Sequence, residues 1–239
     1  MRFTSLVRKE LRQYFNTPTA YVAIVFFLAA TSGWLFYVDG FFARGVATLR
    51  PYFALMPVMF VFFVPAVTMR TWAEERRTRS DEFLMALPYS TGEIVCAKAI
   101  ASFCVLALAL LLTAPVPFFA TMFGRFDPGP IVTEYLGTVL FGAAATAAGC
   151  LASAITRNQI TAFLVAAAAL GFFLVLDTIV VFVGLGGVFA RVVSYVSWSA
   201  RFESFVKGII DTRDVVFFVA VTAVMLRLTV HSIEAGKSR

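Results

Sequence analysis

The chain has 239 residues, 60% of them hydrophobic and 14% charged, against roughly 45–50% and 25% in soluble domains. That excess of apolar surface excludes an ordinary soluble globule and points to an apolar solvent, since a bilayer core of about 30 Å is crossed by roughly 20 apolar residues in helix. The net charge of +6 does not indicate nucleic acid, which needs a basic stripe with reading residues; here Lys and Arg lie in short segments between apolar runs, as membrane topology requires.

The chain opens with an amphipathic helix over residues 2–17. Phe3, Leu6, Val7, Leu11, Tyr14 and Phe15 fall on one face, and Arg2, Arg8, Lys9 and Arg12 lie off it. Such a helix lies in the interface plane with its cations toward lipid headgroups; the alternative is a basic flank that only orients the first span. Pro18 then restarts the chain, and proline is acceptable in a first helical turn. The first span, about 19–38, begins too late and runs too long for a cleavable signal segment. The others are about 51–70 (with Pro57 and Pro65 inside), 97–123, 132–155, 159–183 and 213–231. These runs are longer than the roughly 10 residues of a barrel strand and do not alternate. The expected fold is all-α: one bundle of six transmembrane helices.

Orientation follows the Lys and Arg bias of the short loops. Arg2, Arg8, Lys9 and Arg12 precede the first span; Arg70, Arg76, Arg77, Arg79 and Lys98 flank the second-to-third loop; Arg157, Arg227, Lys237 and Arg239 follow on the same side. The other side has Arg44, Arg50 and Arg125, with Arg191, Arg201 and Lys207 in a long segment. Both termini are therefore expected in the cytoplasm.

Two connections read as structured. In 71–96, on the cytoplasmic side, Thr78 and Asp81 have capping-box spacing ahead of Phe83, Leu84 and Leu87; Pro88 ends that helix. Ser90 and Glu93 form a second capping box that opens the third span. In 184–212, on the outer side, Gly184, Gly186 and Gly187 break the fifth span. Apolar residues then recur at helical spacing over 188–196 and 201–208, giving two short interfacial or re-entrant helices, or else a loop that merely covers the bundle.

Catalytic sets are missing from the pattern. His231 is the single histidine, which argues against a histidine zinc site or a Ser-His-Asp triad. Gly236-Lys237-Ser238 resembles the end of a phosphate-binding loop, but His231 occupies the place of the required glycine. Cys96, Cys104 and Cys150 fit no zinc spacing and read as free thiols. Asp177 is the acidic residue deep in an apolar run, either at the outer boundary or lining a pathway. Gly142, Ala144, Ala148, Gly149 and Ala152 make the fourth span a close-packing surface, within the chain or between chains.

Residues 70–98 resemble the cytoplasmic loop of type-2 ABC exporter permeases. Glu74, Glu75, Arg76, Thr78, Glu82, Leu84, Leu87, Pro88, Glu93, Ile94 and Lys98 match its run of charges, Leu pair, Pro and Glu-Ile…Lys; Arg79 stands where the family usually has Gly. Phe202-Glu203-Ser204-Phe205, with Lys207 to Asp211, is similar to the branch holding gliding-motility-associated permeases and the permease of nitrous-oxide-reductase maturation. The resemblance implies a permease subunit of a bacterial inner (cytoplasmic) membrane transporter. It also implies a second permease chain, identical or homologous, and a separate ABC ATP-binding subunit that carries ATP and Mg, with no cofactor or catalytic site in this chain. The loop 71–96 would be the coupling element, with Glu74, Glu75, Arg76, Thr78, Glu82, Phe83, Leu84 and Leu87 as its ATPase-coupling residues. On this reading 74–87 is a short helix that Glu74, Glu75, Arg76, Arg77 and Arg79 keep in water and that Phe83, Leu84 and Leu87 dock into the partner, the alternative being that those three pack on the amino-terminal helix. An ATP-independent secondary transporter or channel is the competing function; such spans usually carry more buried polar groups.

Overall fold

The computed structural model describes residues 2–41, 48–78, 89–124, 126–184 and 187–237. The described residues form helices and no strand. Helix α1 (Arg2–Phe15) precedes α2 (Pro18–Gly33), which continues as a π turn over Trp34–Val38. Then come α3 (Arg50–Thr68), the short α4 (Ala73–Thr78), α5 (Thr91–Thr113) and α6 (Pro115–Ala120). The long helices α7 (Pro128–Ile155) and α8 (Gln159–Val183) follow. Last are α9 (Gly187–Val196), α10 (Trp198–Val206) and α11 (Thr212–Lys237). Among the described residues six segments are long and apolar enough to cross a membrane, with α2, α3, α5, α7, α8 and α11 at their centres. The chain is thus an all-α polytopic bundle.

Local chemistry sets several boundaries. The Ser90 hydroxyl accepts from Glu93 N–H at 3.2 Å and the Glu93 carboxylate accepts from Ser90 N–H at 2.8 Å. This capping box starts α5 at Thr91, ahead of the apolar run expected from residue 97. The expected span to 123 is also divided, because Pro115 and Pro117 follow the end of α5 and cannot donate to its last carbonyls. Thr78 ends α4, which begins at Ala73, and its hydroxyl donates to Glu74 O at 3.0 Å; the helix expected after Thr78 falls outside the described residues.

Helix α7 is the hub, packing on α11, α3, α8, α10 and α5. Its small residues serve contacts within the chain. A Cβ on Gly142 would lie 2.8 Å from Leu106 Cδ2, and one on Gly149 would run into the Thr68 side chain. Backbones meet there because no side chain intervenes. Helices α3, α5 and α7 are buried over most of their length, while α2, α8 and α11 form an outer shell. That shell exposes apolar residues such as Val22, Phe26, Leu164, Phe172, Val219 and Val224, as a lipid-facing surface must.

The main core holds Phe27, Phe53, Phe60, Phe141, Trp198 and Phe218. A second, smaller cluster joins Leu6, Trp72, Ile94, Val95, Ala154 and Ile233. It draws α1, α5 and the carboxyl-terminal parts of α7 and α11 together, so both termini lie at one end of the bundle, called here the terminal end. At the other end, Gly184 (φ +68°) and Gly187 (φ +77°) turn the chain out of α8. The hairpin α9–α10 then folds back, occupying the segment where two helical repeats are expected. Helix α10 is no surface cover: Trp198, Phe202 and Phe205 are buried. The Trp198 ring stacks on Phe173 at 5.5 Å and meets Phe141 edge-on at 5.4 Å.

Candidate functional site: the junction at the terminal end

Lys98, seven residues past the start of α5, is 1% exposed. Its ammonium donates to Glu75 Oε1 at 2.6 Å and to Glu10 Oε2 at 2.9 Å. The three charges come from α4, α1 and α5, and all three side chains are almost fully enclosed. The Trp72 ring centroid lies 5.2 Å from the ammonium, close enough for a cation–π attraction. Burying a lysine is tolerated only with such compensation, because an uncompensated ion in a low-dielectric interior is very unfavourable.

Around this cluster the sequence supplies a second layer of polar ties. The Tyr14 hydroxyl lies 2.7 Å from Ser102 Oγ and donates to Val67 O at 3.2 Å, so α1 is fastened to both α5 and α3. Burial of that hydroxyl pushes the Tyr14 phenol well above its ordinary range. Arg70 grips Glu74 with two hydrogen bonds of 2.8 and 3.2 Å and reaches Thr19 of α2. Ser153 of α7 closes the break between α3 and α4. Its Oγ accepts from Trp72 N–H and Ala73 N–H, each at 3.1 Å, and donates to Met69 O. It thereby satisfies amides that the start of any helix leaves unpaired.

The expected coupling residues separate into three groups. Glu75, expected to help keep the segment in water, is instead buried at 8% exposure; this is a correction, and the reason is Lys98, whose charge offsets part of its desolvation. Glu74 is half-buried and tied to Arg70, and Arg76 is half-buried. Thr78 is exposed at the end of α4, beside exposed Arg77. Glu82, Phe83, Leu84 and Leu87 fall outside the described residues, as does the choice between their docking on a partner and on α1. Asp177 is half-buried and its Oδ1 accepts from Ser194 Oγ at 2.8 Å, which ties α8 to α9. Two participants escape a sequence reading. Glu10 lies on the buried side of α1 among the apolar residues, a position legible from helical periodicity alone; Ser153 sits in a run of small residues with no signal of its own.

The junction is a bracket of polar ties: Glu75 joins α4 to Lys98 of α5, which also holds Glu10 of α1, and Ser153 joins the turn before α4 to α7. Cys96, Cys104 and Cys150 are free thiols. Among the described residues no group of His, Cys, Asp or Glu is arranged to hold a metal ion.

Comparison with curated proteins finds no match. The profile of the ABC-2 type transporter family matches residues 1–210, most of the chain, including the bracket and the α9–α10 hairpin. A bundle of six membrane-crossing helices, with α1 braced against the only buried lysine among the described residues, belongs to the ABC-2 type transporter family and is a membrane permease subunit of an ABC transporter.

Proposed function

We propose that this permease works as a pair of identical or homologous chains, each coupled to a separate ATP-binding subunit that carries ATP and Mg, in a bacterial inner membrane. The terminal end faces the cytoplasm, and the α4 segment, continuing through Glu82, Phe83, Leu84 and Leu87, receives the movement of the ATPase. The observation that carries this reading is the Lys98–Glu75–Glu10 cluster. A segment that only connected two spans would not need a buried ion cluster to lock it to two other helices. A lever does, because motion is transmitted through rigid, packed elements. The Lys and Arg bias toward the same end supports the orientation. The Phe202-Glu203-Ser204-Phe205 stretch, whose phenylalanines seat α10, supports placement in the branch of gliding-motility and nitrous-oxide-reductase-maturation permeases.

The test is purification of the chain from its native membrane, with a cysteine placed at exposed Thr78 in a background lacking Cys96. An ATP-binding chain should co-purify and cross-link through residue 78. Recovery of an active transporter with no ATP-binding chain would instead favour the ATP-independent reading.

A further inference from the structure

Four carboxylates are buried among the described residues: Glu10, Glu75, Asp214 and Glu134. Three of them meet a cation. Glu10 and Glu75 share Lys98, and Asp214 accepts from Arg201 Nη1 at 2.9 Å. Glu134 does not. It is the most enclosed of the four, at 1% exposure, and its Oε1 is buried with no hydrogen-bond partner.

Its position gives that carboxyl a consequence. Glu134 sits near the start of α7, between two residues that seat α10. The Thr133 hydroxyl reaches Phe205 O at 3.3 Å, and a Cβ on Gly137 would lie 2.5 Å from Phe205 Cβ. The last turn of the hairpin therefore rests directly on the stretch of α7 that carries the carboxyl. The charged groups on the packed elements are otherwise engaged or exposed. On α3, exposed Arg50 is the cation whose field reaches Glu134. On α10, Arg201 holds Asp214 of α11, and Glu203 pairs with Lys207 at 2.8 Å. Arg213 of α11 is exposed, and Asp177 of α8 is bonded to Ser194. At this end α5 contributes hydroxyl chemistry alone, through Thr113 at 3.0 Å from the Tyr135 hydroxyl.

A lone ionised carboxylate in such a place is far less favourable than the neutral acid. An ionisable group inside a membrane domain that has no partner is a functional candidate by default. We propose that Glu134 is a proton-binding site beneath the α9–α10 hairpin, neutral while α10 is seated and releasing its proton to water when the hairpin lifts. By linkage, raising the pH on that side favours the lifted form, and lifting the hairpin favours proton release. The site binds H⁺ whether or not the ATPase assignment holds.

Two measurements on the full-length chain in lipid bilayers test the idea. Infrared difference spectra at neutral pH should contain the carbonyl stretch of a protonated carboxylic acid. That band should be missing in Glu134→Gln and retained in Asp177→Asn. In the wild type, hydrogen-exchange protection of residues 198–206, corrected for intrinsic exchange, should fall roughly tenfold or more as rising pH removes the band. In Glu134→Gln, a neutral isostere, protection should stay high across the same range. The wild-type titration alone keeps the proposal falsifiable if the variant folds poorly. Absence of the band at neutral pH would overturn it, as would a band that survives Glu134→Gln. So would hairpin protection that responds to pH identically in the wild type and the variant.

Discussion

Replacing Lys98 by Met keeps the length and most of the apolar volume of the side chain while removing the charge that holds two carboxylates inside the junction. Glu10 and Glu75 are 5% and 8% exposed, so neither can recover its hydration without opening the bracket. Removing one partner of a buried ion pair costs about 3–5 kcal/mol. A second route gives a similar figure: keeping one glutamate neutral at pH 7, from an ordinary value near 4.3, costs about 3.7 kcal/mol. Loss of the Trp72 contact adds roughly 1 kcal/mol. Lys98→Met should therefore lower stability by about 5 kcal/mol, several thousandfold in the folding equilibrium. The defect should shrink as the pH falls toward about 5, because acid then supplies the protons that the unpaired carboxyls need. The triple variant Lys98→Met, Glu10→Gln, Glu75→Gln should recover most of the loss, since no charge then remains to be buried. Thermal unfolding in detergent at both pH values, with substrate-stimulated ATP hydrolysis as the functional readout, measures all three variants. A Lys98→Met protein within about 0.5 kcal/mol of the wild type at pH 7 would refute the reasoning, as would a defect that the triple variant fails to repair.

Ser153→Ala should destabilise by about 1–3 kcal/mol, because Trp72 N–H and Ala73 N–H lose their shared acceptor in a buried position; faster exchange at those two amides is the specific sign. Gly149→Val should cost about 1–3 kcal/mol through collision with Thr68, and Thr68→Ala in the same chain should restore part of it, as thermal unfolding of the pair would report. Because Tyr14 is held in its neutral form, its contribution is complete below the ordinary phenol value near 10 and is lost as the pH rises beyond it. Tyr14→Phe should therefore lower stability by about 1 kcal/mol at neutral pH and reduce the alkaline loss seen in the wild type.

What could be read along the chain was whatever depends on neighbours in sequence. Six apolar runs of sufficient length specify six crossings because lipid supplies no hydrogen bonds to an open backbone. Ser90 and Glu93 specify the start of α5 because both halves of the capping box lie within one turn. The hairpin after Gly184 was legible because glycine alone relaxes at φ +68° and the apolar repeat resumes beyond it. What the tertiary structure decided were the partners of polar groups, which no local pattern encodes. Glu10 and Lys98 stand 88 positions apart, and Ser153 and Trp72 81 apart. In the linear reading Lys98 is one more orienting charge and Glu75 a solvated one, and both are in fact buried because their pairing offsets part of the desolvation. The same reason reverses the two intramembrane carboxylates. Asp177 stood out by its depth in an apolar run yet is half-buried and bonded to Ser194. Glu134, close to a helix start and so unremarked, is buried in the stretch of α7 on which α10 rests through Thr133 and Phe205, a contact between segments some seventy residues apart.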